Sequence, residues 1–210
     1  MNNSPETIFI IDDDSSVRES ISLFLLANGY TIESFASSEE YLAREIHHGT
    51  GCLILDVNLK GKSGLDLQEE LVITNLQLPI IFISGQGNIQ MTVQVLRKGA
   101  INFLEKPLKK EELLKSVFEA LNLSRQLKAE MDENTKAKQL IHSLTPKELG
   151  ILKYITSGML YKQIAYELTI AEATVKVHRR NICNKLGVKS VPEIIRIAEK
   201  AGVIPSEKKH

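Results

Sequence analysis

Three consecutive aspartates, Asp12, Asp13 and Asp14, follow directly on a short apolar run. Adjacent carboxylates repel one another, so this cluster is costly unless water or a cation screens its charge. Mg²⁺ takes oxygen ligands and keeps several waters, so two carboxylates and a backbone carbonyl are sufficient protein ligands for it. A single Asp after a strand is most often a helix N-cap, and we expect that role for Asp14. By itself the cluster is therefore weak evidence for a metal site.

Short apolar runs alternate with segments of helical periodicity through the first half of the chain. Turn signals rich in Gly and Asn separate them. This alternation predicts five βα units and a doubly wound, flavodoxin-like parallel sheet with helices on both faces. The runs cover residues 7–11, 31–35, 52–56, 79–84 and 101–104.

Polar residues follow four of these predicted strands, at the point where each strand ends. Asp12 and Asp13 follow the first run, Asp56 the third, Ser84 the fourth and Lys106 the fifth. Because the carboxyl ends of parallel strands meet at one edge of the sheet, where such sheets bind ligands, we expect these side chains to converge. Their position at four separate strand ends is much stronger evidence for a site than the aspartate cluster alone.

The composition is that of an ordinary globular protein, with 43% hydrophobic and 25% charged residues among 210. Two isolated cysteines, Cys52 and Cys183, form neither a disulfide framework nor a zinc site. The N-terminus lacks the basic flank of a signal peptide, and no apolar stretch approaches the roughly 20 residues of a membrane span. We expect a cytoplasmic protein without a membrane partner.

The zero net charge hides an asymmetry between the two halves. Residues 1–125 hold 11 basic and 17 acidic residues, whereas residues 126–210 hold 15 basic and 9 acidic residues. This split predicts two domains with different partners, and the basic half is a candidate for nucleic-acid binding.

From residue 109 to residue 142 the pattern stays helical without Gly or Pro, and its apolar content fades after Leu127. This indicates a helix that leaves its domain and becomes a solvated connector; a disordered tether is the alternative. Four short helices are predicted beyond it, at about 146–157, 161–168, 172–186 and 191–202.

The third of these helices is amphipathic and basic. Val175, Ile182 and Leu186 form a stripe that would face a small core, while the side around Lys176 and Arg180 would face outward. A short helix and a tight turn precede it, which fits a helix-turn-helix. A merely solvated charged face is the alternative interpretation.

Residues 5–125 resemble a response-regulator receiver domain. The resemblance is carried by "IDDD" (11–14), by Asp56 with Gly64 eight residues later, by "ISGQG" (83–87) and by "KGAINFLEKP" (98–107). It implies that Asp56 is the phosphoacceptor and that residues 88–108 form a dimer face. It further implies Mg²⁺ ligation by Asp12, Asp13, Asp56 and the Asn58 backbone carbonyl, phosphoryl contacts from Ser84 and Lys106, an aromatic switch at Phe103, and a cis Lys106–Pro107 bond.

Residues 144–188 resemble a LuxR-type DNA-binding domain, with "TVKVH" and "KLGV" as its most specific motifs. The resemblance implies a scaffold helix at 161–168, a recognition helix at 172–186 and a dimer contact in the last helix. The candidates for base contacts are Lys176, Val177 and Arg180. The candidates for phosphate contacts are Lys162, Thr174, His178, Arg179 and Lys185.

Two departures from these families bear on the site. Leu59–Lys60 stands where receivers commonly have Met-Pro, which places an extra lysine beside the predicted phosphorylation site. Ala171 stands where a serine often caps the recognition helix. Thr169 and Glu172 are at capping-box spacing, so an earlier helix start could compensate.

The whole chain is identified as a FixJ-type two-component response regulator. We predict a receiver at 1–125, a helical linker at 126–142 that extends the last receiver helix, and a DNA-binding domain at 143–210. The resemblance implies that a sensor histidine kinase phosphorylates Asp56 and that the chain then acts on promoter DNA as a homodimer, through RNA polymerase. It is not expected to be an enzyme.

Two other interpretations stay open. One is an aspartate-nucleophile phosphatase of the haloacid-dehalogenase type, with Asp12 as nucleophile and Asp14 as acid. The other is a DNA-binding protein whose receiver works without phosphorylation.

Overall fold

The computed structural model describes residues 6–73, 78–85 and 89–205. The chain forms two compact units, Met1–Lys128 and Ala129–His210. No helix among the described residues has the length and apolar character needed to cross a lipid bilayer.

The first unit is built on a five-stranded sheet whose neighbouring strands are all parallel. Its strands lie in the order β2-β1-β3-β4-β5, so the predicted doubly wound sheet is confirmed. Each observed strand agrees with its predicted run to within one residue at either end. The strands are β1 (Thr7–Ile11), β2 (Thr31–Phe35), β3 (Gly51–Asp56), β4 (Ile80–Ser84) and β5 (Asn102–Glu105).

Strands β1, β3 and β4 are buried along their whole length. Alternate side chains enter two apolar clusters, because successive residues of a strand point to opposite faces. Ile10 and Ile54 lie in one cluster, and Phe9 and Leu53 in the other. These strands can therefore carry ionisable side chains cheaply only at their ends, where Asp12 and Asp56 stand.

Among the described residues, five helices cover the sheet. The first begins after Asp14, whose side chain accepts hydrogen bonds from the backbone N–H groups of Ser16 and Val17, so the expected N-cap role is confirmed. The helices are α1 (Ser15–Ala27), α2 (Ser38–Ala43), α3 (Gly64–Ile73), α4 (Ile89–Arg97) and α5 (Lys110–His142).

Helix α5 is continuous over 33 residues, so the disordered-tether alternative is wrong. Residues 129–136 are almost all exposed, as expected for a solvated connector. The last turns are not solvated, however, because Ala137 is buried and Ile141 lies in the core cluster of the second unit. Glu133 also forms an ion pair with Lys200. The expectation of a purely solvated connector is therefore wrong for the end of the helix.

Up to residue 205, the second unit adds four short helices around one apolar core, which confirms the predicted all-α domain. Thr145 and Glu148 form a capping box at the first of them, and Gly187 ends the third in the left-handed conformation, with φ +68°. The helices are α6 (Pro146–Thr156), α7 (Tyr161–Glu167), α8 (Glu172–Leu186) and α9 (Val191–Lys200).

The start of α8 differs from the expectation. Ala171 is the N-cap and offers no side-chain hydrogen bond, and the helix begins at Glu172. Thr169 has φ +51°, in the left-handed region, and therefore lies outside any right-handed helix. The expected earlier start through Thr169 and Glu172 is wrong, because Thr169 forms the tight turn between α7 and α8.

Candidate functional site

The carboxyl edge of the sheet brings together the side chains that the sequence places at four strand ends. Carboxylate oxygens of Asp12, Asp13 and Asp56 all lie within 4.8 Å of one another. Ser84 and Lys106 complete this cluster, which we call the acidic pocket. The Lys106–Pro107 peptide bond is cis, as the resemblance implies.

Lys106 bridges the two most buried carboxylates of the acidic pocket. Its Nζ donates to Asp12 Oδ2 at 2.6 Å and to Asp56 Oδ2 at 2.9 Å. The Asp12 side chain is 0% exposed and that of Asp56 7% exposed. One ammonium thus compensates two carboxylates that are largely withdrawn from water.

Burial and pairing shift the pKa values of Asp12 and Lys106 in opposite directions. Burial raises the pKa of Asp12, although the hydrogen bond from Lys106 acts in the other direction. Burial alone would lower the pKa of Lys106, but the hydrogen bonds to Asp12 and Asp56 hold that pKa above its ordinary value. Lys106 therefore stays charged in its buried position.

The backbone fixes both carboxylates. The Asp14 N–H donates to Asp12 Oδ1 at 3.0 Å, and the Asn58 N–H donates to Asp56 Oδ1 at 3.2 Å. The Asn58 side-chain amide donates to Ser84 Oγ at 3.3 Å, which joins the end of β3 to the end of β4. A Cβ at Gly64 would lie 2.3 Å from the Asp56 carbonyl oxygen, so only glycine lets α3 approach here.

The donor set of the acidic pocket fits a hard divalent cation. Three carboxylates can each offer one oxygen, and carboxylate oxygens are ligands that Mg²⁺ prefers. Asp13 is the most accessible of the three, with 21% of its side chain exposed. The Asn58 carbonyl stays a predicted fourth ligand.

Lys60 also contributes a charge to the acidic pocket, although the sequence identified it only as a departure from the receiver family. Its Nζ lies 3.1 Å from Asp13 Oδ2, although 89% of its side chain is exposed. Because Lys106 contacts Asp12 and Asp56, Lys60 supplies the cation that the third carboxylate would otherwise lack. The position of this lysine four residues after Asp56 was the available signal.

Asp14 does not fit the acid role that the phosphatase alternative gives it. It accepts hydrogen bonds from the Ser16 hydroxyl at 2.6 Å and the Ser16 N–H at 2.9 Å, and these lower its pKa. A general acid at neutral pH needs a raised pKa instead. These contacts favour the helix N-cap role of Asp14 over the acid role that the phosphatase interpretation gives it.

Phe103 lies on β5, partly buried against the core cluster that contains Phe82 and Val95. Its backbone N–H donates to the side-chain oxygen of Asn102 at 2.9 Å. Its part as an aromatic switch stays a prediction, as does dimerisation through residues 88–108. Residue 88, and residues 86–87 of the "ISGQG" motif, lie outside the described residues.

Helix α8 presents a charged side to solvent, which we call the basic face: Lys176, Val177, Arg180 and Asn184 are all exposed there. On its opposite side Val175, Ile182 and Leu186 are buried, so the predicted apolar stripe is confirmed. Lys176 pairs with Glu172 at 2.8 Å, one helical turn earlier, but both side chains remain largely exposed and free to exchange partners.

The candidate phosphate contacts occupy different environments. Lys162 is exposed on α7, while Thr174, His178 and Arg179 are half-buried on α8. Lys185 has a protein partner, since its Nζ donates to Glu148 Oε2 at 2.6 Å. Glu148 is 5% exposed and also closes the Thr145 capping box, and sequence reasoning missed it. A phosphate contact from Lys185 stays a prediction, but one that competes with this ion pair.

Comparisons with known proteins agree with both halves of the site. Residues 8–118 match the family described as response regulator receiver domain, and residues 142–198 match bacterial regulatory proteins, luxR family. The chain is 42% identical to response regulator protein TmoT of Ectopseudomonas mendocina over 95% of this chain and 91% of that protein.

More distant relatives and a solved structure extend over the same length. Transcriptional regulatory protein FixJ of Rhizobium meliloti is 31% identical, over 95% of this chain and 98% of its own. The low-resolution structure of response regulator StyR superimposes with a TM-score of 0.80 at 39% identity, over 94% of this chain and all of that one. The chain therefore belongs to the response regulators that join a receiver domain to a LuxR-type DNA-binding domain.

Proposed function

We propose that Asp56 accepts a phosphoryl group from a cognate sensor histidine kinase and that the phosphorylated chain binds promoter DNA. The observation that carries this proposal is that Asp56 contacts the Lys106 ammonium and lies in one cluster with the carboxylates of Asp12 and Asp13. A carboxylate oxygen of Asp56 attacks phosphorus, the bond to the donor histidine nitrogen breaks, and an acyl phosphate remains.

The residues around Asp56 are suited to this transfer. The Lys106 ammonium already lies 2.9 Å from Asp56 Oδ2. It can therefore stabilise negative charge both on the Asp56 carboxylate and on the phosphoryl oxygens. The hydroxyl of Ser84 is held next to the same loop by Asn58. Asp12, Asp13 and Asp56, with the Asn58 carbonyl, would hold Mg²⁺, which offsets charge on the phosphoryl oxygens when bound.

The phosphoryl group adds charge and hydrogen-bond acceptors at the ends of β3 and β4. We propose that Ser84 then bonds a phosphoryl oxygen, that Phe103 turns into the space this leaves, and that the altered face around α4 and β5 forms a homodimer. The dimer then places two DNA-binding domains on a two-fold related site in the cytoplasm, where it acts through RNA polymerase.

For the DNA-binding half, we propose that α8 enters the major groove. Lys176, Val177 and Arg180 of the basic face contact base edges. Phosphate contacts come from Lys162, Thr174, His178, Arg179 and Lys185.

Incubation with acetyl phosphate and Mg²⁺, followed by intact-mass measurement, tests the acceptor. The wild type should gain one phosphoryl group, and Asp56→Asn should gain none. Asp66→Asn, which changes an exposed carboxylate on α3, is the matched control and should be labelled like the wild type. Label that persists in Asp56→Asn but disappears in Asp12→Asn would favour the phosphatase interpretation.

A further inference from the structure

The acidic pocket holds three carboxylates and draws on two lysines, which differ sharply in environment. Lys106 is 20% exposed and is held by two partners, Asp12 and Asp56. Lys60 is 89% exposed and touches a single partner, Asp13, at 3.1 Å. The first ammonium is a fixed part of the pocket, whereas the second lies at its rim and can leave without disturbing the core.

The backbone of the loop that carries Lys60 is held on both sides of this residue, which keeps its side chain within reach of Asp13. Leu59, immediately before Lys60, is 8% exposed and packs in the core cluster beneath the sheet. Gly61, immediately after it, has φ +85°, a conformation that glycine adopts at little cost. Lys60 is thus held between a buried anchor and a tight turn.

Helix α2 holds the far side of the same loop. The buried hydroxyl of Ser38 donates to the Lys62 carbonyl at 3.1 Å, and the Lys62 N–H donates to Glu39 at 3.4 Å. The Lys62 ammonium turns away from the acidic pocket and pairs with Glu70 on α3. Lys60 and Lys62 are separated by one residue but have different partners: Lys60 faces the acidic pocket, and the Lys62 side chain pairs with Glu70 outside it.

We propose that Lys60 is a displaceable counter-ion of the metal site, one that occupies Asp13 until Mg²⁺ binds and so lowers the affinity of the pocket for Mg²⁺. This rests on the proposed role of Asp12, Asp13 and Asp56 as Mg²⁺ ligands. Asp13 is the most exposed of the three carboxylates, so a hydrated cation can reach it. Because Mg²⁺ and the ammonium compete for the same oxygen, Lys60 shifts the response of phosphorylation to higher Mg²⁺ concentrations.

The size of the effect follows from the exposure of the pair. Ion pairs between solvent-exposed side chains are weak, so losing this one should change the Mg²⁺ dissociation constant about two- to fivefold. Salt screens exposed charges, with a Debye length of about 10 Å at 0.1 M, so the difference should shrink as KCl is added.

Calorimetric titration of the full chain with MgCl₂ tests this proposal, without acetyl phosphate or DNA. Lys60→Met should bind Mg²⁺ about two- to fivefold more tightly than the wild type, and Lys60→Arg should behave like the wild type because it keeps the charge. Lys62→Met is the matched control, since it removes the same charge from the same loop at a side chain that pairs with Glu70. It should leave the Mg²⁺ affinity unchanged.

Equal affinities for Lys60→Met and the wild type would overturn the proposal while leaving the metal site intact. An equal gain in Lys60→Met and Lys62→Met would also overturn it, because the effect would then come from net charge. If neither the wild type nor Lys60→Met bound Mg²⁺, the proposed metal site itself would fail. Thermal unfolding of each variant in Mg²⁺-free buffer checks that the exposed substitutions leave the fold unchanged.

Discussion

In the N-terminal unit, charged groups are gathered at one sheet edge and largely withdrawn from water, whereas in the C-terminal unit they are spread along an exposed helix. The acidic pocket places Asp12 at 0% and Asp56 at 7% side-chain exposure around one lysine. On the basic face, Lys176 keeps 59% of its side chain exposed and pairs with Glu172, a neighbour on the same helix.

This difference in the exposure of the charged side chains determines which interactions each region can form. Charges held in a water-poor pocket interact strongly. Adding one phosphoryl group there can therefore change the ion pairs between Lys106 and the carboxylates. Charges on an exposed helix interact weakly with each other and remain available to a polyanion such as DNA. The acidic pocket thus depends on a few strong interactions, whereas the basic face offers several exposed charges to DNA. Four substitutions test this difference.

The largest effect is expected for Lys106→Met, which leaves two buried carboxylates without their cation. We expect it to lower the free energy of unfolding by about 2–3 kcal/mol, since breaking a buried ion pair strands its charged partner. Urea unfolding without Mg²⁺ measures this, and added Mg²⁺ should restore part of the loss. Lys109→Met, at a lysine 76% exposed, is the control and should leave the free energy of unfolding nearly unchanged. Equal losses in the two variants would remove the contrast between buried and exposed charge.

Next in size is Arg180→Ala on the basic face. It should reduce the discrimination between target and unrelated DNA by about 1–3 kcal/mol, because an arginine at a base edge reads sequence. Binding of fluorescent duplexes of both kinds, at several salt concentrations, measures this. Lys162→Ala serves as the comparison: as a phosphate contact, it should weaken binding to both duplexes about equally and reduce the salt slope by about one. Equal loss of discrimination in both variants would defeat the division between base and phosphate contacts.

A smaller effect should come from Lys185→Met, which tests an exception in the C-terminal unit. The hydrogen bond from Lys185, followed by that from the Thr145 backbone, lowers the pKa of Glu148. A carboxyl with a lowered folded-state pKa stabilises the fold above its unfolded pKa, and the gain is lost as pH falls through the folded value. Lys185→Met should therefore cost about 1 kcal/mol between pH 5 and 8, and less below about pH 4.

Hydrogen exchange of α8 backbone amides in the full chain measures this loss for the relevant unit. Lys176→Met, whose ion pair with Glu172 is exposed, is the control and should leave the protection of these amides nearly unchanged. A cost for Lys185→Met that stayed constant down to pH 3 would show that the lost contact is not the ion pair with Glu148.

The smallest expected effect is an increase in the stability of α8, in the variant Ala171→Ser. Ala171 already has the extended N-cap conformation, with φ −70° and ψ 145°, but lacks a side-chain acceptor. Ala171→Ser should stabilise α8 by about 0.5–1 kcal/mol, because its hydroxyl can accept from an unpaired N–H group in the first turn. The same exchange measurement reports it, with Ala173→Ser inside the helix as the control. A gain from Ala173→Ser as large as that from Ala171→Ser would argue against a capping effect.

Much of the fold was predictable because its signals are local. Five apolar runs marked the strands, and a parallel sheet then brings the residues after them to one edge, so the convergence of Asp12, Asp56 and Lys106 followed from topology alone. The continuous helix α5 followed from the absence of Gly and Pro between residues 109 and 142.

The remaining features depend on tertiary contacts that no local pattern encodes. Lys185 meets Glu148 across 37 positions of sequence, and only the packing of α8 against α6 brings them together. Ala137 and Ile141 are spaced one helical turn apart, a signal for a buried stripe, but the charged residues around them hid it. The left-handed Thr169 was unexpected because β-branched residues rarely adopt that conformation.

The affinity of the full chain for its promoter DNA, measured with and without beryllofluoride and Mg²⁺, tests most directly whether the acidic pocket controls the basic face. Beryllofluoride stands in for the phosphoryl group that we propose Asp56 accepts. We predict that it tightens binding by the wild type and leaves Asp56→Asn unchanged. Wild-type binding that is identical under both conditions would contradict the account, and would favour a receiver that works without phosphorylation.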